Sequence, residues 1–231
     1  MNVNEIDDLL YSIPEQIDYT TIIDEVDLED IPKERVNKLI DILNNYSNYE
    51  FYQVFKAGGL LCHWGIEEGF IYISNLLLSS GQESIRKEFL EGYDYKYILS
   101  AIQGYIVCKI HTEEESIARN KIYPCIKEII NLAKTKFFSI AGFYYLIFER
   151  YNEYVPLIED YLGYIIKHPQ ENYWNIHDTT KLLLKMKSNV VEKIFEENGK
   201  QLSDFGLEEN SNSPSKKEEK KEKGYFWWLK W

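Results

Sequence analysis

Four histidines, three cysteines and several paired carboxylates are the side chains of this sequence that could do chemistry, and their spacing argues against most of it. His63, His111, His168 and His177 include no pair four apart with an intervening glutamate, the arrangement by which one helix presents two imidazoles and a general base to zinc. His177 precedes Asp178, but neighbours in sequence point to different faces of a helix and make a poor acid/base couple. His63, beside Trp64, and His168, before Pro169, fall at expected helix ends, where a cationic imidazole at the surface would complement the C-terminal dipole. Cys62, Cys108 and Cys125 sit in apolar strings without a Cys-x-x-Cys spacing and read as reduced core residues. No phosphate-binding glycine loop and no Gly-x-Ser-x-Gly elbow is present, and Gly58-Gly59 follows no strand. Glu67-Glu68 and Glu113-Glu114-Glu115 suit the first turns of helices. The residues therefore lead us to expect no catalysis, no cofactor and no metal.

Charge is more informative. The first thirty-one residues hold ten carboxylates (Glu5, Asp7, Asp8, Glu15, Asp18, Asp24, Glu25, Asp27, Glu29 and Asp30) and neither lysine nor arginine, within a chain of net charge −12. Such a segment repels itself, so it serves either as a solvated solubilising face or as a surface for a basic partner. Asp24, Glu25, Asp27, Glu29 and Asp30 are the residues expected to steer that partner. The overall acidity argues against sequence-independent nucleic-acid binding, which needs cations to displace phosphate counterions. Tyrosines interleaved with acids, as in Tyr93-Asp94-Tyr95, suit a surface that binds a basic protein.

The elements that must carry these residues are helical. Val36, Leu39, Ile40 and Leu43 form one stripe at i, i+3, i+4 and i+7, and Pro32 fits a first turn. The same reading predicts helices over 32–46, 49–63, 67–79, 94–111, 115–134, 137–151, 154–167, 171–186 and 188–199, with no convincing strand. Pro124-Cys125-Ile126 and Pro156-Leu157-Ile158 look like matching starts of second helices in pairs. The small-residue stretches at Ala57-Gly58-Gly59, Ala101 to Gly104 and Ala141-Gly142 recur at a spacing typical of HEAT or armadillo units. The expectation is an all-α solenoid of antiparallel helix pairs, with a non-repetitive helical bundle as the alternative. Four regions are expected: an acidic segment at 1–31, a helical-repeat domain at 32–206, a disordered charged linker at 207–223 and an aromatic peptide at 224–231. Docking of that peptide into a groove of the domain is its first expected role, with contact at a membrane interface second. No apolar run has the length of a membrane span and no secretory signal is evident, so a cytoplasmic location is expected.

One stretch carries a resemblance. Ala57-Gly58-Gly59-Leu60-Leu61-Cys62-His63-Trp64-Gly65-Ile66-Glu67-Glu68-Gly69-Phe70, with Gly92-Tyr93-Asp94-Tyr95-Lys96-Tyr97-Ile98-Leu99-Ser100-Ala101 after it, resembles the HEAT-like immunity proteins of bacterial polymorphic-toxin and contact-dependent inhibition systems. The resemblance implies a cytoplasmic antidote that binds a cognate toxin domain, basic nucleases being common among them, and blocks it without chemistry of its own. Trp64, Glu67, Glu68, Tyr93, Asp94 and Tyr95 would then join the acidic segment in the partner-binding surface. Two structural readings of the same residues stay open: Trp64-Gly65 as a packed corner between helices, and Asp94 as an N-cap. A helical adaptor with an unrelated protein partner is the alternative function.

Overall fold

The computed structural model describes residues 3–79 and 90–207, so the linker and aromatic peptide expected over 207–223 and 224–231 lie, Leu207 apart, outside the described residues. The described chain is all-helical, without strands: α1 (Val3–Tyr11), α2 (Lys33–Asn44), α3 (Phe51–His63), α4 (Glu67–Leu78), α5 (Gly92–Val107), α6 (Glu115–Lys136), α7 (Tyr144–Phe148), α8 (Val155–Ile165), α9 (Pro169–Lys185) and α10 (Val191–Glu197). Among these residues no helix is long and apolar enough to cross a membrane.

The chain divides into two compact units, at 1–129 and 130–231, with the division inside α6. This differs from the expected boundary at residue 31. The apolar residues between the acids explain why: Ile6, Leu9, Leu10, Ile23, Val26 and Ile31 are buried in one cluster with Leu39, Ile42, Val54 and Leu60. Removing that much apolar surface from water outweighs the repulsion among carboxylates that remain at the surface.

In the first unit α3 packs against α1, α2, α4 and α5. Its middle is small-residue sequence, and neighbours come correspondingly close. A Cβ on Gly59 would lie 2.3 Å from the Tyr97 ring of α5, and one on Gly69 of α4 would lie 2.3 Å from the Cys62 backbone nitrogen. Both ends of α3 are closed locally. Glu50 and Gln53 form a capping box at its start. At its end Gly65 takes φ +72°, and Gly65 and Ile66 donate back to Cys62 and Leu61 in a Schellman turn. Trp64-Gly65 is therefore a packed corner, with Trp64 only 3% exposed.

In the second unit α8 packs on α9, and α10 on both. Its core is rich in tyrosine: the Tyr144 hydroxyl meets Thr179 Oγ1 at 2.6 Å, and Phe143 stands edge-on to Tyr154 at 4.9 Å. The expected helix over 137–151 is instead a 3-10 turn (Ala141–Phe143) leading into the short α7, bounded by positive φ at Phe137 and Arg150.

The equivalences behind a helix-pair repeat do not hold. Pro124 lies inside α6, whereas Pro156 opens α8. Likewise Ala57 and Ala101 lie within α-helices, whereas Ala141 starts a 3-10 turn. The described residues are all-α, and these segments do not by themselves establish a regular helix-pair repeat.

Candidate protein-interaction surface

The acidic segment is built rather than loose. Arg35 of α2 reaches the end of α1, where its guanidinium donates to Leu9 O at 2.8 Å, Ser12 O at 2.7 Å and Asp8 O at 3.2 Å. A cation thus satisfies the carbonyls that a helix C-terminus leaves without partners. Beyond α1 the chain makes two 3-10 turns, Ile23–Glu25 and Leu28–Asp30. Side chains brace them: the Tyr19 hydroxyl donates to Asp30 Oδ2 at 2.8 Å and accepts from the Asp27 N–H at 3.0 Å. Thr20 donates to Glu25 Oε2 at 2.7 Å.

Asp24 faces inward and fastens this segment to the helices. Lys56 of α3 donates to both carboxylate oxygens, at 2.9 and 2.7 Å, and the Tyr97 hydroxyl of α5 donates to Oδ1 at 2.8 Å. His63 Nε2 stands 3.8 Å from the same oxygen, and no described residue forms a hydrogen bond with it. Burial opposes ionisation of Asp24, but attraction to His63 and Lys56 and the hydrogen bonds from Lys56 and Tyr97 outweigh it, so its pKa falls below the usual value. Burial lowers the pKa of His63 to about 4, against a partial pull upward from Asp24. At neutral pH His63 is uncharged, and Lys56 is the cation that holds Asp24. The expectation of a charged, surface histidine at the end of α3 is corrected: the His63 side chain is only 11% exposed, and α5 packs against it through Gly104, where an added Cβ would lie 3.0 Å from His63 Nδ1.

Of the eleven residues singled out for partner binding, four belong to the fold instead. Trp64 and Tyr95 are buried, Asp24 is held by Lys56 and Tyr97, and Asp94 is 3% exposed as the third residue of α5, where it closes a capping box whose N-cap is Glu91 and not Asp94, accepting from the Glu91 N–H at 2.8 Å. Glu67 also has structural work: Lys121 Nζ lies 2.6 Å from Oε1, and the Tyr105 hydroxyl donates to Oε2 at 2.6 Å. Burial alone would raise the Glu67 pKa, but these two partners bring it below the ordinary value. Glu68 and Tyr93 are exposed, as are Asp27 and Glu29, while Glu25 and Asp30 are partly so.

Three residues of this surface escaped the sequence reading. Tyr19, Ile22 and Leu28 are 52%, 47% and 40% exposed among the acids. Tyr19 and Leu28 share one turn, because the Tyr19 hydroxyl bridges Asp27 and Asp30 on either side of Leu28. Their signal was present as apolar residues out of phase with Ile23, Val26 and Ile31, which face the core. None of Asp18, Glu25, Asp27, Glu29 and Asp30 forms an ion pair with a described residue. The surface therefore presents apolar side chains among acids that, Asp24 apart, no described cation pairs.

The remaining chemistry-bearing residues stand apart. Cys62 and Cys125 are buried, whereas Cys108, expected in the core, is exposed at the end of α5. His168 lies at the surface where α9 begins, and His177 Nδ1 contacts Phe205 O at 2.7 Å. No group of three metal-ligating side chains forms among the described residues. Comparison with family models, curated proteins and solved structures returns no match.

Proposed function

We propose that this chain is a binding protein that neutralises a basic protein partner by covering it, as the immunity proteins it resembles do with their toxins. The observation that carries the reading is the folded acidic surface, in which Tyr19, Ile22 and Leu28 are held among carboxylates that no described cation neutralises. The apolar side chains supply contact area, and the carboxylates supply attraction at long range. Ordering achieved before association leaves less conformational entropy to lose on binding. A basic toxin such as a nuclease fits this surface, since groups that attract phosphate also attract carboxylate. The reading places the chain in the cytoplasm, without catalysis.

The test is to read the genes flanking this one and to co-express the chain with a toxin domain encoded there, which should restore growth and give a complex that survives gel filtration; flanking genes without one would count against the proposal. Growth arrest with no co-eluting complex would overturn the proposal. Replacing Asp27, Glu29 and Asp30 with their amides should slow association about tenfold at low ionic strength and flatten its salt dependence. Unchanged association would show that these acids only solubilise the protein.

A further inference from the structure

The second unit carries a groove that its own packing does not explain. One side is Glu159, Asp160, Gly163 and Tyr164 of α8 with Lys167 just beyond its end, and the other is Val190 before α10 and Ile194 within it; the groove is open to solvent and holds about 370 Å³. Gly163 lies inside α8, where glycine weakens a helix relative to alanine. Elsewhere in the fold helical glycines are filled against: Gly58, Gly59, Gly69 and Gly104 would each place a Cβ under 3 Å from a neighbour. At Gly163 a Cβ would meet nothing within 4 Å. The missing side chain thus makes room for no described residue, and it deepens the groove by the size of a side chain.

We propose that this groove takes the aromatic segment 224–231 of the same chain. That segment, Gly-Tyr-Phe-Trp-Trp-Leu-Lys-Trp, has five aromatic residues and no acid, and it follows a stretch with Lys216, Lys217, Lys220, Lys221 and Lys223. The groove matches it in kind: it is lined by aliphatic Val190 and Ile194, by a glycine that leaves room for a ring, and by two acids, Glu159 and Asp160, against one cation, Lys167. Glu159 already accepts from Ser188 at 2.7 Å and Asp160 pairs with Lys134, so both carboxylates are held in place while keeping oxygens for further cations. Reach is sufficient. The described chain stops at Leu207, and sixteen residues separate it from Gly224. Fully extended they would span about 55 Å, against a radius of gyration of about 12 Å for a unit of this size. Covalent linkage makes the encounter intramolecular, which raises the effective concentration to about the millimolar range.

The experiment uses the full chain labelled with 5-fluorotryptophan and read by fluorine NMR, with Gly163→Gln as the perturbing variant. Glutamine fills the groove yet meets no described atom at its Cβ, and helix propensity favours it. In the parent chain the signals of Trp227, Trp228 and Trp231 should be dispersed and unchanged on tenfold dilution. In Gly163→Gln they should collapse to the position of water-exposed tryptophan, while the Trp64 and Trp174 signals stay in place. Ile194→Gln, on the opposite wall, should release them in the same way. Tail signals already at the exposed position in the parent, or unmoved by both variants, would overturn the proposal. Dispersion that disappears on dilution would overturn it too, since it would show contact between molecules.

Discussion

Replacing His63 by glutamine should flatten the acid side of the first unit's stability profile. Burial lowers the folded pKa of His63 from 6.5 to about 4. The unfolded chain therefore binds a proton between these values that the folded chain does not, so stability falls as pH drops through this window and levels off below pH 4. With those two constants the loss between pH 7 and pH 4.5 is on the order of 2 kcal/mol. Asp24 does not confound the interval, because its folded pKa is below 3.8 and its contribution is lost only as pH falls through that value. The assay is urea denaturation at half-unit steps of pH, followed by hydrogen exchange of α3 and α5 amides, in parent and His63→Gln. Glutamine loses the contact between the imidazole and the Tyr97 ring, whose centroids lie 5.6 Å apart, so the variant is expected to be weaker at every pH. The decisive quantity is the difference in slope. Parallel profiles would refute the reasoning and show that His63 is protonated or exposed in the folded state.

Lys56→Met should destabilise the first unit by about 3 kcal/mol, because it leaves the Asp24 carboxylate without its cation at a site only 14% exposed. The double variant Asp24→Asn with Lys56→Met should recover most of that loss, which a double-mutant cycle by chemical denaturation would measure. Gly69→Ala should cost about 2 kcal/mol or more, seen as a lower melting temperature, since its Cβ would lie 2.3 Å from a backbone nitrogen that no rotamer change can move.

The helices were legible where one apolar stripe ran uninterrupted. Expected spans of 67–79 and 115–134 compare with Glu67–Leu78 and Glu115–Lys136, because periodicity and N-terminal acids agree there. Residues 137–151 misled because their apolar density resembles a buried helix, while the left-handed Phe137 and Arg150 break it into turns. Helix α1 was hidden for the opposite reason: its acids masked Ile6, Leu9 and Leu10, which face the core. At the surface, residue type did not reveal direction. Asp24 and Asp27 are three apart and chemically alike, yet one is clasped by Lys56 and Tyr97 and the other faces water. Only the long-range contacts to α3 and α5 distinguish them, and no local pattern encodes those.

The bracing of the acidic turns has a calorimetric consequence. A segment that folds as it binds contributes its own burial to the heat capacity of association, in addition to that of the interface. Here Ile23, Val26 and Ile31 are already out of water, and Tyr19 and Thr20 already hold their partners. Association through this surface should therefore show a heat-capacity change that scales with the contact area alone.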